Sequence, residues 1–172
     1  ADRARAPGHQ RMTRAWLSLG SNLEPIANLK SALAELRAEF GELRVSSAWQ
    51  TDAVGFDGPA FINLAVGLNT DWSAADLDGW LHALEDAHGR RRDVPRFSSR
   101  TLDIDIVLFG DRVIDGPGHL KVPRDELKHA FVLGPLAEIA AGVRPPGSAR
   151  TLGELWREHP GHDLPIRNVT LE

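Results

Sequence analysis

The chain has 172 residues, a formal net charge of −4, 42% hydrophobic and 26% charged residues, and no cysteine. That length suits one domain with a real core, and the cysteine count excludes both a disulfide framework and a thiolate metal centre. The acidic balance argues against a dedicated nucleic-acid binder. No apolar run reaches membrane-spanning length and no signal-peptide pattern appears, so a cytoplasmic protein with no nucleic-acid or membrane partner is expected.

Residues 1–11 mix Arg, Gly and Pro without apolar periodicity and read as a disordered arm. Met12 directly precedes the first strand-like run, so the domain is expected to cover 12–172. Trp16–Leu19 reads as a short strand closed by the turn-forming Gly20-Ser21-Asn22. Ile26, Leu29, Leu33, Leu36 and Phe40 recur at helical spacing, with Gly41 where a C-cap belongs. Leu43–Trp49 and Phe61–Leu68 read as strands, separated by a Gly/Asp/Pro loop. Ser73 can cap a second helix that places Leu77, Trp80, Leu81 and Leu84 on one face and ends at Gly89. Leu102–Phe109 reads as a strand followed by a tight Gly110-Asp111-Arg112 turn. Leu133–Ala141 reads as a helix with Pro135 in its first turn, and the tail from Thr151 as a weak helix and loop. The order strand–helix–strand–strand–helix–strand predicts an α+β domain, a ferredoxin-like split βαβ unit with a mainly antiparallel sheet and helices packed on it.

The richest chemistry lies at residues 90–109. Asp103 and Asp105 stand two apart on a strand, so both project from one face while Leu102, Ile104 and Ile106 face the other way. Adjacent carboxylates repel, and a cation between them removes that cost. Oxygen ligands without His or Cys point to Mg²⁺. Just upstream, Arg90, Arg91, Arg92, Arg96 and Arg100 stand with a single acid, Asp93. Guanidinium groups suit phosphate oxygens, so an arginine loop followed by an acid pair is the donor set for a nucleoside triphosphate and its metal. A solvated strand face, or Asp–Arg pairs, is the simpler alternative for the acid pair taken alone. The chain has no P-loop sequence, no protein-kinase signature and no nucleophile elbow. His82 and His88 lie six apart on a helix and suit solvated or capping roles rather than a metal cluster.

From about Thr13 to Ala141 these residues resemble the 6-hydroxymethyl-7,8-dihydropterin pyrophosphokinases of folate biosynthesis. The most specific signature is Arg, two residues, then Asp-aliphatic-Asp-aliphatic-aliphatic, which Arg100–Val107 satisfies. Leu19-Gly20-Ser21-Asn22, Val45-Ser46-Ser47 leading to Thr51 and Gly55, and Phe61-Ile62-Asn63 match in order and spacing.

The resemblance implies transfer of pyrophosphate from ATP to the hydroxymethyl pterin, giving AMP and the pterin diphosphate. It implies Asp103 and Asp105 as ligands of two Mg²⁺, with Arg92, Arg100 and Asp105 as the catalytic groups. ATP would be held by Glu85, Arg90, Arg92, Arg100, Ile106, Lys121 and Arg124. The pterin would meet Thr51, Val54, Phe61 and Asn63, and would stack between Phe97 and Phe131. The loops 50–60 and 90–99 would be lids that order on nucleotide binding. A monomer is expected. The chain departs from the family pattern at Phe97, where Trp is frequent, at Asp52 (Pro), at Arg124 (His) and at His129 (Arg), and residues 123–131 form a segment one residue shorter.

Overall fold

A computed structural model describes residues 12–51, 60–89, 102–116, 118–163 and 167–171. The expected N-terminal arm at 1–11 and both expected lids lie outside these residues, apart from the lids' first or last positions at 50, 51 and 60.

The central strand, β1 (Thr13–Ser21), is twice as long as Trp16–Leu19 suggests, because its ends are polar and small rather than apolar. It is followed by α1 (Pro25–Phe40), whose Gly41 takes φ 81° and donates its N–H to the Arg37 carbonyl, as a C-cap glycine should. Leu29, Leu33 and Leu36 are buried along one stripe, whereas Ile26 at the helix start is exposed. The strand expected at 43–49 is broken into β2 (Arg44–Val45) and β3 (Ala48–Thr51). Ser46 explains the break: its hydroxyl accepts the Ala65 N–H at 2.8 Å, taking the place of a ladder carbonyl.

β4 (Phe61–Thr70) leads to α2 (Ala74–Ala87), capped by the Ser73 hydroxyl on the Asp76 N–H. Leu77, Leu81 and Leu84 of α2 are buried, and Trp80 packs edge-on against Phe40 with ring centroids 5.2 Å apart. β5 (Asp103–Phe109) ends in the expected turn at Gly110, φ 56°. The short pair β6 (Ile114–Asp115) and β7 (Lys121–Val122) then forms a separate hairpin, followed by a 3-10 turn at Asp125–Lys128. Next comes α3, which spans Ala130–Ala140 and so begins three residues before the expected start. Pro135 is therefore interior rather than in the first turn, and its ring supplies no N–H to the Phe131 carbonyl. The tail gives α4 (Leu152–Arg157), with a full capping box between Thr151 and Glu154, and a strand that pattern reading missed, β8 (Arg167–Val169).

The main sheet runs β5-β1-β4-β3-β8, with β2 also on β4, and each of its pairs is antiparallel. This is the expected α+β arrangement, with helices on both faces. Ala15, Leu17, Leu19, Leu64, Val66, Ile104 and Ile106 pack against α1 and α2. The alternate residues Trp16, Ala65 and Val107 pack against α3 and α4.

Candidate active site

The register of three strands assembles the site. Gly20 of β1 lies opposite Asp103 on one side and Asn63 on the other. Ser18, two residues back, lies between Asp105 and Ala65 in the same way. On the next strand Trp49 is opposite Asn63, and Thr51 is opposite Phe61. Because side chains alternate, Asp103, Asp105, Asn63, Phe61 and Thr51 all belong to the face on which α3 lies. Among the described residues, Gly20 and Ser18 of β1 separate the acid pair from β4, where Ala65 stands next to Asn63 on this face, so small residues floor the space. Gly20 is needed there, since a Cβ would stand 2.6 Å from the Asn63 Oδ1. The irregularity that takes up Val107 falls between Trp16 and Leu17, beyond the acids, so their alternation with Ile104 and Ile106 is undisturbed.

Among the described residues β5 is at the edge of the sheet, and hydrogen bonds from its own amide and to its carbonyl tie it to neighbouring elements. The Ile104 N–H donates to Glu85 Oε2 at 2.6 Å, and the Arg124 N–H donates to the Val107 carbonyl at 3.1 Å. Glu85, on α2, is only 2% exposed and therefore meets the strand from within the fold. The Arg124 guanidinium is 3.6 Å from Asp105, 2.8 Å from Glu126 and bonded to the His119 carbonyl at 2.9 Å. Four carboxylates (Asp103, Asp105, Glu85 and Glu126) thus share a neighbourhood with this one guanidinium among the described residues that act on Asp105. Burial first, and the Asp103 charge second, push the Asp105 carboxyl up to about 8, with Arg124 opposing them and the two glutamates adding to the rise. Burial works against the Arg124 charge, but Asp105 and Glu126 outweigh it and raise its pKa. A site that so disfavours carboxylate charge, and whose candidate ligands among the described residues are carboxylates, is chemically suited to a hard divalent cation.

The remaining expected site residues are placed as follows. Phe131 is in the first turn of α3, half-buried against the Trp16–Ala65–Val107 cluster, with the His129 ring stacked on it at 5.1 Å and 8°. The Ile106 side chain is 2% exposed in the core beneath α1 and α2, so only its backbone could reach a nucleotide. Lys121 is exposed and turned to Asp125 at 3.3 Å. Val54, Arg90, Arg92, Phe97 and Arg100 lie outside the described residues. His88 is the C-cap of α2, bonded to the Leu84 carbonyl at 2.8 Å and to Ser31 at 2.9 Å, and His82 lies 3.8 Å from Asp78, so both have helix-surface roles.

Sequence reasoning passed over a second set of residues on this face. The Trp49 ring lies under α3 at Gly134, where any Cβ would run into it, and 5.6 Å from the Trp156 ring. Glu138 of α3 accepts the Ser47 N–H at 2.7 Å, the Ser47 hydroxyl at 2.6 Å and the Trp49 indole N–H at 3.1 Å. A glycine inside a helix, which costs up to about 1 kcal/mol against alanine, was the available signal of a close approach.

Comparison with known proteins identifies the family. Residues 16–141 match the family model described as 7,8-dihydro-6-hydroxymethylpterin-pyrophosphokinase (HPPK). A 2-amino-4-hydroxy-6-hydroxymethyldihydropteridine pyrophosphokinase of Pseudomonas aeruginosa is 42% identical over 147 residues, covering 83% of this chain and 89% of that protein. The protein of that name from Bacillus subtilis is 35% identical over 158 residues, covering 87% and 93%. Among solved structures, the Plasmodium falciparum HPPK-DHPS crystal structure has a TM-score of 0.69 at 12% identity. It covers 96% of this chain, which spans about half (48%) of that longer one, and the likeness speaks to the fold. With a family model over most of its length and relatives this similar, the chain belongs to the 7,8-dihydro-6-hydroxymethylpterin-pyrophosphokinase family.

Proposed function

We infer that the chain transfers the pyrophosphoryl group of ATP to 6-hydroxymethyl-7,8-dihydropterin, a step of folate biosynthesis, releasing AMP. The observation that carries this reading is the single sheet face of a family member on which Asp103 stands across Gly20 from Asn63, with Asp105 next to it on β5 and Phe61 next to Asn63 on β4. Asn63 offers a donor and an acceptor to a heterocycle that has both, and Phe61 and Phe131 offer flat apolar surface to its ring. Thr51, opposite Phe61, together with Val54 and Phe97, completes the proposed pterin side.

Asp103 and Asp105 would hold two Mg²⁺, which would neutralise the phosphate charge of ATP. The pterin hydroxymethyl oxygen attacks the β-phosphorus, the bond from that phosphorus to the α–β bridging oxygen breaks, and AMP leaves with that oxygen. Asp105 is also the proposed acceptor of the hydroxyl proton. On the nucleotide side the proposal places Arg90, Arg92, Arg100, Lys121 and Arg124, with the Ile106 backbone. Glu85 supports the strand through the Ile104 N–H rather than offering a free carboxylate. Positioning and fixed charge thus supply most of the catalysis. We also propose that residues 12–172 form one catalytic domain, because β8 pairs with β3 and so returns the tail to the sheet that bears the site. Among the described residues no helix is long and apolar enough to cross a membrane.

Incubation with ATP, Mg²⁺ and the hydroxymethyl pterin, followed by ion-exchange separation, should give AMP and pterin diphosphate in equal amounts. ADP as the main product, or AMP formed without pterin, would contradict the reading. A chain that binds pterin without turnover would give neither nucleotide.

A further inference from the structure

The Glu138 contacts have the form of a clamp. A carboxylate has no proton to donate, and here it receives three donors from two residues at the start of β3. The indole N–H of Trp49 is shared between Glu138 and the Ser47 hydroxyl, at 3.1 Å each, so the three side chains form one closed set. Phe131, Gly134 and Glu138 are spaced i, i+3 and i+7, which puts them on one stripe of α3. That stripe faces β3, since Gly134 closes on the Trp49 ring and Glu138 reaches Ser47. The hydrogen bonds at Glu138 fix the rotation and the axial position of the helix. Phe131 lies seven residues away, about 10 Å along the axis, so a change of phase at Glu138 is carried to its ring. Across the sheet, Trp49 is in register with Asn63 and Thr51 with Phe61, so the clamp joins the element bearing one aromatic to the strand beside the other.

We propose that Glu138 is a positioning residue for the pterin substrate: by gripping Ser47 and Trp49 it holds α3 against β3 and sets Phe131 relative to Phe61 and Asn63. The proposal rests on the reading of Phe61, Asn63 and Phe131 as the pterin side of the site. Glu138 itself is exposed, and in this proposal it acts through the orientation of α3 rather than by contact with the substrate.

The test measures KM for 6-hydroxymethyl-7,8-dihydropterin and KM for ATP separately in Glu138→Ala, Glu138→Gln, Ser47→Ala and Phe131→Ala, with a melting curve for each. Glu138→Ala should raise the pterin KM about tenfold, as expected of an aromatic displaced by a fraction of an ångström, and leave the ATP KM within about twofold. Glu138→Gln, which keeps a carbonyl for the hydroxyl and indole donors, should recover part of the loss. Ser47→Ala should give a smaller rise and add nothing to Glu138→Ala in the double variant, since both break one clamp. A lowered melting temperature with an unchanged pterin KM would overturn the proposal, as would equal rises in both KM values. Should Glu138→Ala fail to fold, Ser47→Ala and Glu138→Gln carry the same test. An unchanged pterin KM in Phe131→Ala would overturn the site reading itself. A raised KM there with normal values in the Glu138 and Ser47 variants would overturn the clamp alone.

Discussion

Replacing Asp105 with Asn should stabilise the metal-free protein while ending its turnover. The carboxyl is pushed up to about 8 from an ordinary 3.8, by burial and then by Asp103. Each unit corresponds to about 1.4 kcal/mol, so the charged form would cost the folded state up to about 4 kcal/mol at pH 7. The side chain is 27% exposed, and solvent at that exposure screens the effect to about 1–2 kcal/mol. A raised carboxyl pKa means that the folded protein holds a proton the unfolded chain has already lost. The destabilisation is therefore absent below about pH 4, grows between 4 and 8, and is complete above 8. In EDTA, the Asn variant should melt about 2–8 °C above the parent at pH 8.5 and within a degree or so of it at pH 4. An Asn variant less stable than the parent at pH 8.5, or one with the same increment at both pH values, would show that the acid pair is not the strained element described here.

Asp103→Ala should likewise abolish turnover with its melting temperature kept, and near-normal rate at saturating Mg²⁺ would remove Asp103 from the metal site. Gly20→Ala should raise the pterin KM by about tenfold or more, because the new Cβ lies 2.6 Å from the Asn63 amide oxygen and must displace it; an unchanged KM would separate Asn63 from pterin recognition. Arg100→Ala should lose about 30- to 1,000-fold in rate and Arg91→Ala far less, as a phosphate contact made in the transition state requires. Equal small losses would reduce the arginines to diffuse charge.

The elements that the sequence discloses are those in which local pattern and tertiary demand coincide. Leu29, Leu33 and Leu36 face a core that wants a helical stripe, and Gly41 takes the positive φ its position suggests. The alternation of Asp103 and Asp105 with Ile104 and Ile106 shows the acid pair directly, since no strand buries such a pattern on both faces. Reading fails where a distant partner decides. Ser46 splits a strand because Ala65, nineteen residues on, bonds its hydroxyl. α3 starts at Ala130 rather than Leu133 because its first turn is packed on strand residues, which also leaves Pro135 inside the helix. β8 has only three residues and is a strand by virtue of pairing with β3. Within the site, the acid pair and Asn63 could be placed by motif and register. The side-chain burial of Ile106, the Glu85 bond to a strand amide and the Glu138 clamp depend on packing that no short window contains.

The most direct test of the account follows the β-phosphorus of ATP. With ATP labelled at the β-phosphate, Mg²⁺ and 6-hydroxymethyl-7,8-dihydropterin, the label should leave the nucleotide and appear wholly in the pterin product, in step with unlabelled AMP. Label retained in ADP would mean transfer of the γ-phosphate alone, and label in inorganic pyrophosphate without a pterin product would mean hydrolysis; either result would contradict pyrophosphoryl transfer by this site.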